Sequence, residues 1–149
     1  MSELAFLTIA EASPRLAQGS LMAVDLVEAC LARVVQHDSK LNAFVALTAD
    51  QARAAALQAD REIGRGHRRG ALHGIPVGIK DIYETAGVRT AGQSHLKIDH
   101  VPSVDAETVA RLRAAGAVIM GKLATHEFAT GAATPDQPFP PARNPWMPD

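Results

Sequence analysis

The chain has 149 residues, 47% of them hydrophobic and 21% charged, with a formal net charge of −1, a globular balance that excludes disorder and collagen-like repeats. Fifteen basic against sixteen acidic residues exert no global pull on nucleic acid or anionic lipid. No apolar run approaches the roughly 20 residues of a spanning helix, Met1-Ser2-Glu3 opens no visible secretory signal, and a single cysteine excludes an internal disulfide and makes the cytoplasm the expected compartment.

The N-terminal region reads as helix. Thr8-Ile9-Ala10-Glu11 has capping-box spacing, a hydroxyl for exposed N–H groups and a carboxylate that reaches back. Gly19-Ser20 then opens a longer amphipathic run, with Val24, Val27, Leu31 and Val34 on one stripe and Asp25, Glu28 and Arg33 off it, ending near His37-Asp38. Cys30 lies on or beside that stripe, which reads as a buried structural thiol rather than a nucleophile. Thr48-Ala49-Asp50-Gln51 repeats the capping spacing and starts an alanine-rich third helix reaching about Ile63. Residues 1–63 are thus expected to form a helical lead-in.

Gly64-Arg65-Gly66-His67-Arg68-Arg69-Gly70 has three glycines in seven residues and cannot hold a helix. Its arginines have no interleaved aromatic to stack a base, so a solvated turn is expected rather than a nucleic-acid patch. From Leu72 the period changes. Ile75, Val77 and Ile79 alternate with Pro76, Gly78 and Lys80, which is strand spacing with the proline near its start. After a loop punctuated by Gly87, Gly92 and Pro102, Asp105 can cap a helix carrying Val109 and Leu112 and stopped by Gly116. Ala117-Val118-Ile119-Met120 then reads as a buried strand. Strand, crossover helix, strand predicts a parallel α/β arrangement in residues 72–149. Six of the nine prolines fall between Pro135 and Pro148, which excludes helix or central strand there.

Two lysines, Lys80 and Lys122, stand at the ends of the predicted strands, where open parallel sheets bind ligands. Lys80 has the stronger case: it shares a strand face with Gly78, which leaves room beside the amine. A lysine held against an apolar sheet loses hydration, its pKa falls, and the neutral amine can act as a general base. The alternative is a lysine paired with Asp81 or snorkelling to water. Gly116 to Lys122 nearly spells a phosphate-binding loop, but the hydroxyl position is Leu123 and the intervening residues are an apolar strand, so the match is rejected. The six histidines form no HExxH and no Cys/His cluster, so no metal is expected. Ser94 and Ser103 lie in no nucleophile elbow and read as loop or cap residues.

Taken in order, Gly74-Ile75-Pro76-Val77-Gly78-Ile79-Lys80-Asp81, Thr85-Ala86-Gly87-Val88, Thr90-Ala91-Gly92, the stretch from Asp105 to Gly121-Lys122, Thr125-His126-Glu127-Phe128-Ala129 and Pro141-Ala142-Arg143-Asn144-Pro145-Trp146 resemble the start of the amidase signature family. The resemblance runs from about Ala43 to the last residue. It implies an α/β fold with a large mixed sheet flanked by helices, of which this chain supplies the N-terminal helices and first strands. It also implies hydrolysis of a small-molecule carboxylic amide through a serine acyl-enzyme, without metal or organic cofactor. The family's triad is a nucleophilic serine, a second serine with a cis peptide, and a lysine, which maps onto Lys80 as catalytic base. By the same resemblance Lys122 is structural, and the loop at Ala129, Thr130 and Gly131 approaches the substrate pocket.

In the family the Asn-Pro-Trp stretch leads into a Gly/Ser-rich segment and then the nucleophile, and neither occurs before Asp149. The expectation is an incomplete portion of one amidase domain, inactive by itself, that associates with the missing remainder or with itself; a membrane is not expected as a partner, nor is nucleic acid. The competing readings are a fragment resembling the glutaminase subunit of a tRNA-dependent amidotransferase, and a non-catalytic structural remnant.

Overall fold

A computed structural model describes residues 2–132, 134 and 136–147, with the side chain of Ser2 outside the description. The elements run α1 (Ile9–Ala17), α2 (Ala23–Leu41), β1 (Phe44–Leu47), α3 (Ala49–Gly64), β2 (Pro76–Lys80), α4 (Glu107–Ala114) and β3 (Val118–Leu123), with short 3-10 turns at Ser2–Phe6, His95–Lys97 and Glu127–Ala129. The chain divides into two compact units. One comprises Met1–Gln36, Thr48–Val77 and Arg111–Met120; the other comprises His37–Leu47, Gly78–Ala110 and Gly121–Asp149. No helix among the described residues is long and apolar enough to cross a membrane.

The first unit holds the helices. At α1 the expected capping box is present: Glu11 N–H donates to Thr8 Oγ1 at 3.2 Å and Thr8 N–H to the Glu11 carboxylate at 2.8 Å. The start of α2 differs from the expectation at Gly19-Ser20. It begins at Ala23, where the Asp60 carboxylate of α3 accepts the Ala23 and Val24 N–H groups at 2.6 and 3.1 Å, a cap supplied from 36 residues away. Along α3, Ala52, Ala56 and Ala59 are buried. Gly74 packs closely on the helices: a Cβ there would meet Ala23 Cβ of α2 at 2.9 Å and reach ordinary contact with Ala59 Cβ at 3.8 Å. Thr48 precedes α3 but makes no side-chain cap; its hydroxyl donates to Ile119 O at 3.4 Å. Cys30 is half-buried rather than buried as expected, and desolvation pushes its thiol pKa up.

The solvated turn at 64–70 is only partly free. Arg69 forms a fork with the Glu62 carboxylate, at 2.8 and 2.7 Å, and Arg68 reaches Ser13 Oγ at 2.7 Å.

The sheet has the order β1-β3-β2. β2 and β3 run in the same sense: Val118 N–H donates to Ile75 O at 2.8 Å and Asp81 N–H to Leu123 O at 2.9 Å. This is the parallel pair that strand, helix, strand predicts, with α4 in the crossover. β1 lies antiparallel to β3, Leu47 opposite Gly121 and Phe44 opposite Leu123 with an irregularity between Phe44 and Ala46, so the sheet is mixed. Here the sequence expectation needs correction, because residues 1–63 are not wholly helical. α2 continues to Leu41, and the four-residue β1 then intervenes before α3. Gly121 permits the pairing, since a Cβ there would overlap the Ala46 carbonyl oxygen.

In the second unit Asp105 is not the residue next to α4, which starts at Glu107; its carboxylate accepts the Ala86 N–H at 2.7 Å and so closes the intervening loop. From Thr130 onward the described residues contain no helix or strand beyond an isolated bridge between Asn144 and Met147, as the prolines demand. Phe139 of this tail lies under the Arg89 guanidinium, 4.5 Å from ring centroid to Cζ, while Arg89 also donates to Val45 O at 3.0 Å.

Candidate active site

β2 carries Lys80 at its C-terminal end, and the side chain is exposed. The desolvation expected for it is not found within this chain, and the reason is visible at Gly78. The space over that glycine is taken by Leu123: a Cβ on Gly78 would lie 2.8 Å from Leu123 Cδ1. The room expected beside the amine is therefore filled, and Lys80 stands exposed at the strand end.

The alternative pairing with Asp81 is also absent. Asp81 is buried and turned inward, where its carboxylate is divided between two tasks. Oδ2 accepts the N–H groups of Ala91 and Gly92 at 3.2 and 3.1 Å, and Oδ1 faces Lys122 Nζ at 3.4 Å without accepting a hydrogen bond. Lys122, on β3, is fully buried; its ammonium also donates to Tyr83 O and Thr90 Oγ1, both at 2.7 Å. Two of its donors thus have hydrogen-bond acceptors, and the charge is balanced by Asp81 at ion-pair distance. Burial pushes the Asp81 carboxyl pKa up and the Lys122 ammonium pKa down, and in both cases desolvation outweighs the attraction between them.

Backbone hydrogen bonds hold the turn after Lys80. Tyr83 N–H donates to Lys80 O at 3.1 Å, and Gly92 N–H donates to Asp81 O at 3.0 Å. From Gly92 the connection continues to the loop expected near the pocket, since Phe128 N–H donates to Gly92 O at 2.8 Å. Phe128 and Ala129 have φ of 46° and 61°, left-handed conformations that cost a non-glycine residue about 1 kcal/mol or more. Thr130 N–H and Oγ1 both donate to Glu127 O, at 3.0 and 3.1 Å. Ala129 is half-buried, whereas Thr130 and Gly131 are exposed.

The other candidates fall into structural roles. Ser94 caps the turn at His95–Lys97, its hydroxyl accepting Leu96 N–H at 3.2 Å. Lys122 in the rejected phosphate-loop match is an internal strand residue. Among the described residues no group of three His, Cys, Asp or Glu side chains converges as a metal site would require. Sequence reasoning missed the Asp81–Thr90–Lys122 cluster. The available signal was a lysine inside an apolar strand run, which demands a buried partner.

Comparison with known proteins agrees with this architecture. A glutamyl-tRNA(Gln) amidotransferase subunit from Anaeromyxobacter sp. (strain K) is 46% identical over 144 residues, which is 97% of this chain and 29% of that protein. The corresponding subunit from Chloroflexus aggregans is 43% identical over 146 residues, 98% of this chain and 30% of that protein. Native peptide amidase from Stenotrophomonas maltophilia superimposes with a TM-score of 0.80 at 35% identity, over 86% of this chain and 26% of that one. A chain from a vestigial protein complex, solved in tracing the origins of an s-triazine catabolic enzyme, gives a TM-score of 0.87 at 34% identity, over 95% of this chain and 31% of that one. The chain thus spans about 30% of the length of the relatives it matches. The Amidase family model matches residues 25–149, and the chain belongs to the amidase signature family.

Proposed function

We propose that this chain is the lysine-bearing portion of an amide hydrolase, with Lys80 as its proton-transfer base. The observation that carries the reading is the placement of Lys80. Lys80 is exposed at the C-terminal end of a strand in an α/β sheet, and its neighbouring carboxylate faces Lys122. The family pattern adds two serines, which in this reading further polypeptide supplies. In the completed site the deprotonated Lys80 amine takes the proton of a bridging serine hydroxyl. That serine takes the proton of the nucleophilic serine as its oxygen attacks the amide carbon. The C–N bond then breaks, the proton passes to the departing nitrogen, and water hydrolyses the acyl-serine. The substrate class is a small carboxylic amide, and the loop at Ala129, Thr130 and Gly131 forms part of its pocket. Association with further polypeptide, either the rest of the domain or a second copy, belongs to this reading.

The test is a chimera in which residues 1–149 replace the matching portion of the peptide amidase, assayed for ammonia release from a panel of amides. Turnover that falls at least about a hundredfold in Lys80→Met supports the assignment; unchanged turnover refutes it.

A second reading takes glutamine as the amide, on the strength of the 46% identity to an amidotransferase subunit. Charge adds little to it, because Arg68 and Arg69 are engaged by Ser13 and Glu62. Preference of the chimera for glutamine over other amides would favour it.

A further inference from the structure

We propose that Lys122 and Asp81 form a buried positioning pair that fixes the turn after Lys80 and withholds the Asp81 carboxylate from the Lys80 amine. The inference rests on the reading of Lys80 as the base. A carboxylate next in sequence to a lysine is its most available counter-ion, and a lysine so paired is held protonated. Here that carboxylate faces Lys122 at 3.4 Å, and both side chains are closed to solvent. Lys80 stays outside, exposed.

The same ammonium acts on the backbone. By donating to Tyr83 O it closes a short circuit, because Tyr83 N–H donates to Lys80 O and Asp81 Oδ2 gathers the N–H groups of Ala91 and Gly92. The strand end bearing Lys80 is thereby tied to two loops through one buried charge pair. Thr90 completes the shell, accepting from Lys122 and donating to Val88 O at 3.1 Å. The other charges acting on Lys122 are Glu84 and Lys97, which pair with each other at 2.6 Å, and Glu84 also meets His100 at 2.8 Å. Glu84 is therefore already engaged and does not substitute for Asp81. Lys122 touches no substrate in this scheme. It acts through Lys80.

The experiment follows the Lys80 resonance of the 149-residue chain, labelled at lysine Cε, through a pH titration. In Lys122→Met the Asp81 carboxylate loses its ammonium and turns to Lys80, whose titration midpoint moves to higher pH by at least about half a pH unit. Adding Asp81→Asn returns the midpoint to that of the unsubstituted chain, and Lys122→Arg leaves it in place. Lys122→Gln, which keeps N–H donors for Tyr83 and Thr90, serves the same comparison if the methionine variant does not fold. An unmoved midpoint, or one that moves equally with and without Asp81→Asn, overturns the proposal, since a purely structural role predicts no charge-specific reversal. This readout is independent of turnover. A reversible shift alongside full activity of the Lys80→Met chimera would leave the pair standing and remove the catalytic assignment.

Discussion

Lys122 and Asp81 face each other at 3.4 Å with their side chains 0% and 1% exposed, while Lys80, the chain neighbour of Asp81, stands in solvent. Removing Lys122 takes the buried counter-ion from Asp81. Lys122→Met is expected to destabilise the chain by about 3–5 kcal/mol, and the double variant with Asp81→Asn to recover most of that. The asparagine keeps an oxygen for the Ala91 and Gly92 N–H groups. Urea unfolding of the two variants checks this; a double variant as unstable as the single would count against it.

His73 gives the first unit a pH dependence. It is buried, its Nδ1 accepts Arg69 N–H at 3.1 Å, and its Nε2 lies 3.3 Å from the Glu62 carboxylate. Burial lowers its pKa below the ordinary 6.5. Below pH 6.5 the unfolded chain therefore binds more protons than the folded one, and stability falls as pH drops from there toward the lower folded value. The slope is at most about 1.4 kcal/mol per pH unit for one proton. Glu62 enters only at the acid end of that window, because the Arg69 fork, with Gln58, holds its folded carboxyl at about 2 while the unfolded one titrates near 4.5, so its contribution is lost mainly below about pH 5. Thermal melts between about pH 7.5 and pH 5 should show the loss, and His73→Gln should flatten it.

Gly116 ends the crossover helix at φ 83°, and a Cβ there would collide with the His73 ring. Gly116→Ala should therefore cost about 2 kcal/mol or more, since backbone strain adds to the overlap. Gly87 is the control, because it also has a positive φ but a Cβ there would meet nothing within 4 Å. Gly87→Ala should cost only about 1 kcal/mol. Equal losses at the two positions would show that the His73 contact carries no weight.

Asp60 caps a helix from which it is distant in sequence, accepting the Ala23 and Val24 N–H groups. Asp60→Ala should cost about 1–2 kcal/mol and raise hydrogen exchange at those two amides. Protection that stays unchanged at Ala23 and Val24 would rule out the cap.

Much of this molecule is legible in its residue order. The Thr8 capping box, the amphipathic period of α2 and the alternation through Ile75, Val77 and Ile79 are set by residues within a turn or a strand of one another, so local sequence determined them. The ordered motifs from Gly74 to Trp146 likewise determined the family. Three matters were decided only when distant segments met. β1 is four residues long, too short to announce itself by period, and it forms because β3 offers an edge opened by Gly121. Gly78 suggests free space, but a neighbouring strand fills it with Leu123. The two lysines are alike in sequence position, and the fold separates them, burying Lys122 where Asp81 can neutralise it and leaving Lys80 in water. The physical reason is the same throughout: periodicity reports which face a residue occupies, whereas burial and charge pairing depend on what the rest of the chain brings to that face.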